Sequence, residues 1–209
     1  IGEENNRLLM FIIFTSRKLS HPLHIISLGS SGTGKTHLQE KVSELIPDED
    51  KLEITSLSEN AFYYFGQREL SHKLILIEDL EGAMNVLFPL RELQSKKRIT
   101  KTVTFKDTRG ITKTITLTVE GPVSVAGCTT RERIYEDNAN RSFLIYLDES
   151  EAQDKAIMNY QKALSAGKIN TEEEQAIKKL MENCQRVLQH IKVVNPYAPY
   201  LELPKEVFK

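Results

Sequence analysis

The sequence predicts an α/β fold: a parallel β-sheet core with a β-hairpin insert, followed by a small group of helices. Two short, largely apolar runs, at residues 25–28 and 74–77, are typical of strands buried in a parallel sheet. Two segments that alternate threonine with apolar residues flank a turn at 107–110, which predicts a β-hairpin. Beyond residue 148, apolar residues recur at intervals of three and four, as they do in amphipathic helices.

The other elements follow from the same periodicities and from their boundary residues. Residues 3–19 carry acids in the first turn and bases in the last, which suits the helix dipole. In chain order, the patterns predict helices at 3–19, 35–45, 58–70 and 85–97, and strands at 52–57, 121–130 and 143–148. The aromatic residues within 58–70 are expected in the core rather than in a ligand cage.

Composition limits the classes of protein to which the chain can belong. Its 209 residues and 40% hydrophobic content suffice for one sizeable domain and a smaller one. A formal net charge of −1 means that any surface for nucleic acid has to be local. No apolar run reaches the length of a bilayer span, and Cys128 and Cys184 make neither a disulfide framework nor a metal site. We expect a cytoplasmic protein without a membrane partner, and the start at Ile1 suggests a piece of a longer chain.

Residues 29–36 read Gly-Ser-Ser-Gly-Thr-Gly-Lys-Thr and match the pattern G-x-x-x-x-G-K-[S/T]. Glycines in this pattern let backbone N–H groups surround phosphates at a helix N-terminus. Lys35 would reach the β- and γ-phosphates, and the Thr36 hydroxyl would bind Mg²⁺. The alternative, a flexible turn with an exposed lysine, fits poorly with a strand before it. The predicted nucleotide-binding residues are Gly29, Ser30, Ser31, Gly32, Thr33, Gly34, Lys35, Thr36 and His37.

Two acids, Glu78 and Asp79, directly follow the apolar strand at 74–77, about 40 residues after the glycine-rich loop. Acids after an apolar run usually mean only that the strand has reached solvent. Downstream of a phosphate loop, carboxylates at a strand end can instead support Mg²⁺ and polarise a water against the γ-phosphate. The predicted metal-binding residues are therefore Thr36 and Glu78.

The predicted hairpin, at about 99–119, is locally basic. Residues 96–113 contain seven bases and one acid, Asp107, which suits contact with a phosphate backbone. The alternative is an edge hairpin whose lysines prevent aggregation. The predicted DNA-binding residues are Lys101, Lys106, Arg109 and Lys113.

The order of these motifs resembles the AAA+ ATPases. After the hairpin come a strand ending in Thr129 and Thr130, and then an Asn-Arg pair at 140–141 before "SFLIYLD". Within these ATPases, residues 20–150 resemble the branch with a hairpin before the sensor strand, especially the minichromosome-maintenance-type helicases. The resemblance implies a P-loop NTPase fold, ATP and Mg²⁺ as ligands, and a homo-oligomeric ring, expected to be a hexamer. It also implies movement on DNA, expected to be single-stranded, in replication.

The resemblance also implies roles for individual residues. Thr130 falls on the first sensor, with Thr129 as the alternative, and Arg141 falls on the arginine that reaches a neighbouring subunit's nucleotide. The implied catalytic residues are Lys35, Glu78, Asp79, Thr130 and Arg141. The acidic pair is reversed relative to the family's Asp-Glu, so slow hydrolysis, use of Glu81 or a shifted loop remain open. For a second sensor, Arg186 is the only candidate, and a solvated helix charge is the simpler interpretation.

Residues 1–148 are expected to form the ATPase core, and residues 149–209 a partial helical lid with an extended tail. A capping box at Thr171 and Glu174 is predicted to open the second lid helix after Gly167. The apolar stripe on that helix predicts a face packed in the core: Ile177, Leu180, Met181, Cys184, Val187, Leu188 and Ile191.

Two other functions stay open beside a DNA helicase. The fold and hairpin also occur in protein unfoldases, whose pore loops carry an aromatic residue that the turn at 107–110 lacks. A nucleotide-switched DNA-binding module with little hydrolysis would fit the reversed acidic pair.

Overall fold

The computed structural model describes residues 1–56, 58, 60–83, 87–106, 108–131, 140–189 and 191–202. The strands are, in chain order, β1 (His24–Leu28), β2 (Lys51–Ile54), β3 (Lys73–Ile77), β4 (Arg98–Lys106), β5 (Thr112–Glu120), β6 (Val123–Thr129) and β7 (Phe143–Tyr146). The helices are α1 (Glu4–Thr15), α2 (Lys35–Ser43), α3 (Leu87–Lys96), α4 (Glu151–Ser165) and α5 (Thr171–Val187). Within the described ranges, no helix is both long and apolar enough to cross a bilayer.

Five strands form one parallel sheet in the order β2-β3-β6-β1-β7. Because parallel strands share their direction, the loops that follow β1, β3 and β6 leave from the same edge. Strand β6 lies between the strand that leads into the glycine-rich loop and the strand that ends in the acids. This order places the glycine-rich loop, the acids after β3 and the threonines at the end of β6 at one edge.

Side-chain alternation divides the core into two layers. On one face of the sheet, Leu74 and Leu76 pack in a cluster that includes residues of α1 and α2. On the other face, Ile75 and Ile77 pack in a cluster that includes α3 and the base of the hairpin. The uninterrupted apolar run of β3 is therefore explained by burial on both sides.

The hairpin β4–β5 pairs with full register from Arg98 opposite Glu120 to Lys106 opposite Thr112. Its inner end is anchored in the core through Ile99 and Val119, which are both buried. One face carries threonines and the other carries apolar residues, as the alternation predicted. The threonines are Thr100, Thr102, Thr104, Thr112, Thr114, Thr116 and Thr118.

The helix predicted over 58–70 is wrong. The described part of this segment contains a 3₁₀ turn, Ala61–Tyr64, followed by further turns up to β3. Aromatic residues favour helices weakly, and here Phe62 is buried beneath the hairpin while Tyr64 is exposed. The core interpretation therefore holds for Phe62 and not for Tyr64.

Two predictions for the C-terminal helices also need correction. The N-cap of α5 is Asn170, whose side chain accepts from the Glu173 N–H at 3.2 Å, rather than Thr171. The apolar stripe of α5 is largely exposed, because this helix meets the body through polar side chains. Gln185 Oε1 accepts from the buried Arg17 guanidinium at 2.7 Å, and Arg186 pairs with Glu49 at 2.7 Å.

These contacts place the end of α5 near residues 17 and 49, which precede β1 and β2. In a parallel sheet this is the edge opposite the glycine-rich loop. Arg186, the candidate second sensor, accordingly pairs with Glu49 at that far edge. The described contacts of α5 thus lie away from the position that a lid over the loop would take.

Candidate phosphate-binding site

The glycine-rich loop has the backbone conformation that its sequence predicts. Gly32 and Gly34 have φ values of 85° and 89°, a left-handed region that favours glycine. A Cβ atom added to either would meet no heavy atom within 4 Å. The requirement for glycine is therefore conformational, and it lets the chain turn directly into α2, whose N-cap is Gly34.

Lys35 begins α2 and folds back over the loop. Its side chain is only 7% exposed, and Nζ donates to the carbonyl oxygens of Gly29, at 2.8 Å, and Ser30. Thr33 Oγ1 also donates to the Ser30 carbonyl, at 3.0 Å. These bonds hold the lysine ammonium inside the curve of the loop, at the positive end of the helix dipole.

Thr36 is half-buried at the junction of α2 with β6. Burial raises the pKa of the Cys128 thiol to about 11, and a hydrogen bond with Thr36 and the charge of Lys35 oppose this rise. The charges of Asp79 and Glu40 add to it. The buried thiol is therefore neutral.

The three acids after β3 have partners in three directions. Glu78 Oε1 accepts from Thr55 Oγ1 at 3.2 Å, on the side of β2. Both oxygens of Asp79 accept backbone N–H groups of its own turn, from Glu81 at 2.9 Å and from Gly82 at 3.3 Å. Asp79 therefore stabilises the turn that carries the third acid.

Glu81, the third acid, reaches the end of β6. Its Oε1 accepts from Thr130 Oγ1 at 3.3 Å and from Thr129 Oγ1 at 3.5 Å, and it pairs with Arg131 Nε at 3.3 Å. Since β6 is the direct neighbour of β1, this carboxylate is directed toward the strand that carries the loop. The turn itself is tied to β6 by the Leu80 N–H, which donates to the Cys128 carbonyl at 3.0 Å.

Glu149 is a site residue that sequence reasoning missed. It follows β7, and its carboxylate accepts from the Ser30 N–H at 2.9 Å and from Ser30 Oγ at 3.3 Å. No motif indicated this contact, because the two residues are 119 positions apart. The next residue, Ser150, is the N-cap of α4, so Glu149 links the loop to the C-terminal helices.

Arg141 lies far from the loop of its own chain. It is half-buried just before β7, and Nε donates to Ser95 Oγ near the end of α3 at 3.0 Å. The loop follows the opposite end of the neighbouring strand β1, about 13 Å away along a four-residue strand. Arg141 is therefore separated from the glycine-rich loop of its own chain by the length of the sheet.

The predicted DNA-binding residues fall into two groups. Lys101 is held against the body, where Nζ donates to Asn60 Oδ1 and lies 5.4 Å from the centroid of the Tyr63 ring. Lys106, Arg109 and Lys113 are exposed at the outer end of the hairpin. Asp107, the single acid of this stretch, lies outside the described residues.

The donor set fits a magnesium ion that is shared with a nucleotide. Across the described ranges, no three His, Cys, Asp or Glu side chains are grouped so that they could hold a metal. Magnesium bound to nucleotides takes one or two protein oxygens and completes its shell with phosphate oxygens and water. Thr36 and the carboxylates after β3 suit that mode.

Comparison with known proteins gives one family. A family model described as the MTBMA_p00010 P-loop domain matches residues 1–191. A search of curated proteins found no match. The matched range contains the loop and every strand and α-helix that the structure describes. The chain therefore belongs to the MTBMA_p00010 P-loop domain family, and its parallel sheet and glycine-rich loop are those of a nucleotide-binding NTPase domain.

Proposed function

We propose that this protein is an ATP-driven DNA translocase or helicase of the AAA+ type, acting as a ring in DNA replication. The observation that carries the nucleotide part is the loop itself: two left-handed glycines and an enclosed Lys35 at the start of α2, beside the acids of β3. The hairpin before the sensor strand and the resemblance described above support the AAA+ assignment. Of residues 149–209, which the resemblance implies as a partial lid, Glu149 is linked to the loop, whereas the described contacts of α5 lie at the opposite edge of the sheet.

ATP would bind with its phosphates in the curve of residues 29–36. Backbone N–H groups at the start of α2 bind phosphate oxygens, and Lys35 exchanges the loop carbonyls for the β- and γ-phosphates. Thr36 and Glu78 would hold magnesium, which neutralises part of the phosphate charge, and Glu78 would have to leave Thr55 on the side of β2 to do so. Ser30 has to release the Glu149 carboxylate if a phosphate takes its place.

Glu81 is the carboxylate best placed to polarise the attacking water. Both oxygens of Asp79 already accept backbone hydrogen bonds, whereas Glu81 is held by side chains at the end of β6. Thr130 and Arg131 fix its orientation, which a general base requires. In the AAA+ pattern a glutamate directly follows the acid that supports the metal. Here Asp79 stands at that position, and Glu81 would supply the longer glutamate side chain instead.

The position of Arg141 supports a ring. The residue lies at the sheet edge opposite its own loop, so an arginine acting on transition-state charge has to come from a neighbouring subunit. An arginine supplied in this way can raise phosphoryl-transfer rates by several orders of magnitude. We propose a homo-hexamer in which each interface carries one nucleotide.

DNA would contact the outer end of the hairpin through Lys106, Arg109 and Lys113. Contacts to phosphates give weak sequence preference and steep salt dependence. Lys101, which is packed on Tyr63, would instead hold the hairpin on the body.

Nucleotide titration and ATP turnover, with and without single-stranded DNA, test this proposal. Lys35→Ala removes charge-assisted hydrogen bonds, so we expect nucleotide affinity to fall about 10- to 100-fold and turnover to be lost. Lys41→Ala is the matched control. Lys41 is an exposed lysine of the same helix, and its Nζ forms a salt bridge with Glu44 at 2.6 Å. Equal nucleotide binding by Lys35→Ala and the wild type would refute the proposed site.

The same assay separates the competing functions. Turnover stimulated by DNA supports the motor, and stimulation by unfolded protein supports an unfoldase. Tight ATP binding without turnover, in any of these mixtures, supports a nucleotide-switched module.

A further inference from the structure

The apolar side chains on the outer half of the hairpin are exposed to solvent and do not pack in the core. Phe105, Ile111 and Ile115 are 44%, 56% and 43% exposed. An isolated two-stranded hairpin gains little stability from such residues in water. The inner residues of the same face, Ile99 and Val119, are fully packed, so the exposure is confined to the half that projects from the body.

We propose that this outer face binds the unpaired bases of single-stranded DNA, with Phe105 as the stacking platform. The inference rests on the DNA contact proposed above and deepens it, because it concerns bases rather than phosphates. It names exposed bases as the feature that the hairpin selects, and it assigns a role to a residue that the basic-hairpin argument did not use.

Register places a cation beside the aromatic ring. Lys113 is the cross-strand partner of Phe105 and shares its face, opposite side chains being about 5 Å apart. Lys106, the next residue, lies on the threonine face of the same strand, and Arg109 lies in the turn beyond it, so both add positive charge at the outer end of the hairpin. An aromatic ring among cations is the arrangement by which proteins bind single strands, with bases on the ring and phosphates on the charges.

Charge decides against an unfolded polypeptide as the occupant. An aromatic side chain alone would suit a peptide grip, but residues 96–113 carry seven bases and a single acid. This excess complements a polyanion. In duplex DNA the bases are stacked on one another and present no free face, so the ring gains nothing from a duplex.

The test compares variants on the two faces of one strand. Phe105→Ala removes the ring, whereas Thr104→Ala alters the neighbouring position on the threonine face and is the matched control. The readouts are the anisotropy of a labelled oligothymidine, a labelled duplex and a labelled unfolded protein. Quenching of 2-aminopurine in the single strand reports stacking directly.

We expect Phe105→Ala to weaken binding of the single strand about tenfold, the range given by loss of one base stack. Phe105→Tyr should restore affinity and quenching, while Thr104→Ala and all duplex affinities should stay unchanged. The salt slope should also stay unchanged in Phe105→Ala, because no phosphate contact is lost, and should fall by about 0.7 in Lys113→Ala.

Three results would overturn the inference. The first is wild-type affinity for the single strand in Phe105→Ala, and the second is an equal loss for duplex and single strand. The third is a loss confined to the unfolded protein, which would assign Phe105 to a polypeptide grip. Failure of the wild type to bind any DNA would instead refute the proposed function on which the inference rests. Because Phe105, Thr104 and Lys113 are all exposed, circular dichroism should show the four variants folded as the wild type is.

Discussion

His24 illustrates how burial at a single position changes the chain's response to pH. It begins β1, and its Nδ1 accepts the Val125 N–H at 3.2 Å, which requires a ring without a proton on that nitrogen. Burial lowers the pKa of His24 from its ordinary 6.5 to about 4. The unfolded chain therefore binds a proton at higher pH than the folded chain does.

Stability should accordingly fall as the pH is lowered through this interval. The contribution of neutral His24 is complete above about pH 6.5 and is lost progressively toward pH 4, at a cost of about 3 kcal/mol. His24→Asn keeps an acceptor for Val125 without this titration, so we expect a flatter dependence of the unfolding free energy on pH. Urea unfolding between pH 4 and 7 measures it, with the surface change His21→Asn as control. An unchanged slope in His24→Asn would contradict the assignment.

The acids after β3 could be located from the sequence, but their individual roles could not be predicted from it. The pattern of an apolar strand followed by Glu78 and Asp79 located the acidic edge correctly, because burial of a strand is a local signal. It could not assign the acids to roles, since the partners of Glu81 lie 48 and 49 residues away on β6. The link between Ser30 and Glu149 was out of reach for the same reason.

At the scale of elements, the start of α5 allows the capping roles of Asn170 and Thr171 to be compared directly. The capping box predicted at Thr171 and Glu174 was one residue late, because Asn caps a helix as readily as Thr does. In the structure, Asn170 Oδ1 accepts from the Glu173 N–H while Thr171 is already the first helical residue.

We expect Asn170→Ala to lower the free energy of unfolding by about 1 kcal/mol, because the N-terminal N–H groups of α5 lose their acceptor. Thr171→Ala should raise the free energy of unfolding by no more than about a few tenths of a kcal/mol, since alanine is the better helix former. Amide hydrogen exchange in the first turn of α5, together with chemical denaturation, measures both. A larger loss in Thr171→Ala would restore the frame predicted from the sequence.

Element by element, the accurate predictions were those with one local cause. The alternation of threonine with apolar residues predicted the hairpin, because a repeat of two residues is typical of β-strands. The glycines predicted the conformation of the loop, because glycine adopts its φ values more readily than other residues do. The apolar stripe on α5 correctly predicted a helix, but it wrongly predicted that this face is packed in the core. Periodicity shows that one face is apolar, and it cannot show whether anything within the chain covers it.

On the scale of the whole molecule, the strand order separates the two ends of the proposed catalytic apparatus. Loop and acids meet at the carboxyl edge of the sheet, and Arg141 lies at the amino edge. If Arg141 acts on a phosphate as proposed, one subunit alone would hold an incomplete site. That conclusion needed the strand order, which local patterns do not contain.

Mixing of two inactive variants tests this division. Lys35→Ala subunits cannot hold nucleotide but offer Arg141, and Arg141→Ala subunits hold nucleotide without the arginine. We expect each variant alone to hydrolyse little ATP and their mixture to recover a measurable fraction of wild-type turnover. Mixed Lys35→Ala and wild-type protein serves as the control for simple dilution. Wild-type turnover in Arg141→Ala alone would exclude the shared site.

The most direct test of the account is the single-turnover rate of ATP hydrolysis by Glu81→Gln and Asp79→Asn, with nucleotide affinity measured for both. The account predicts that Glu81→Gln binds MgATP as the wild type does and hydrolyses it at least about 100-fold more slowly, the loss typical of a missing general base. Asp79→Asn, which keeps an acceptor for its turn, should lose much less. The opposite result, with hydrolysis abolished in Asp79→Asn and preserved in Glu81→Gln, would contradict it.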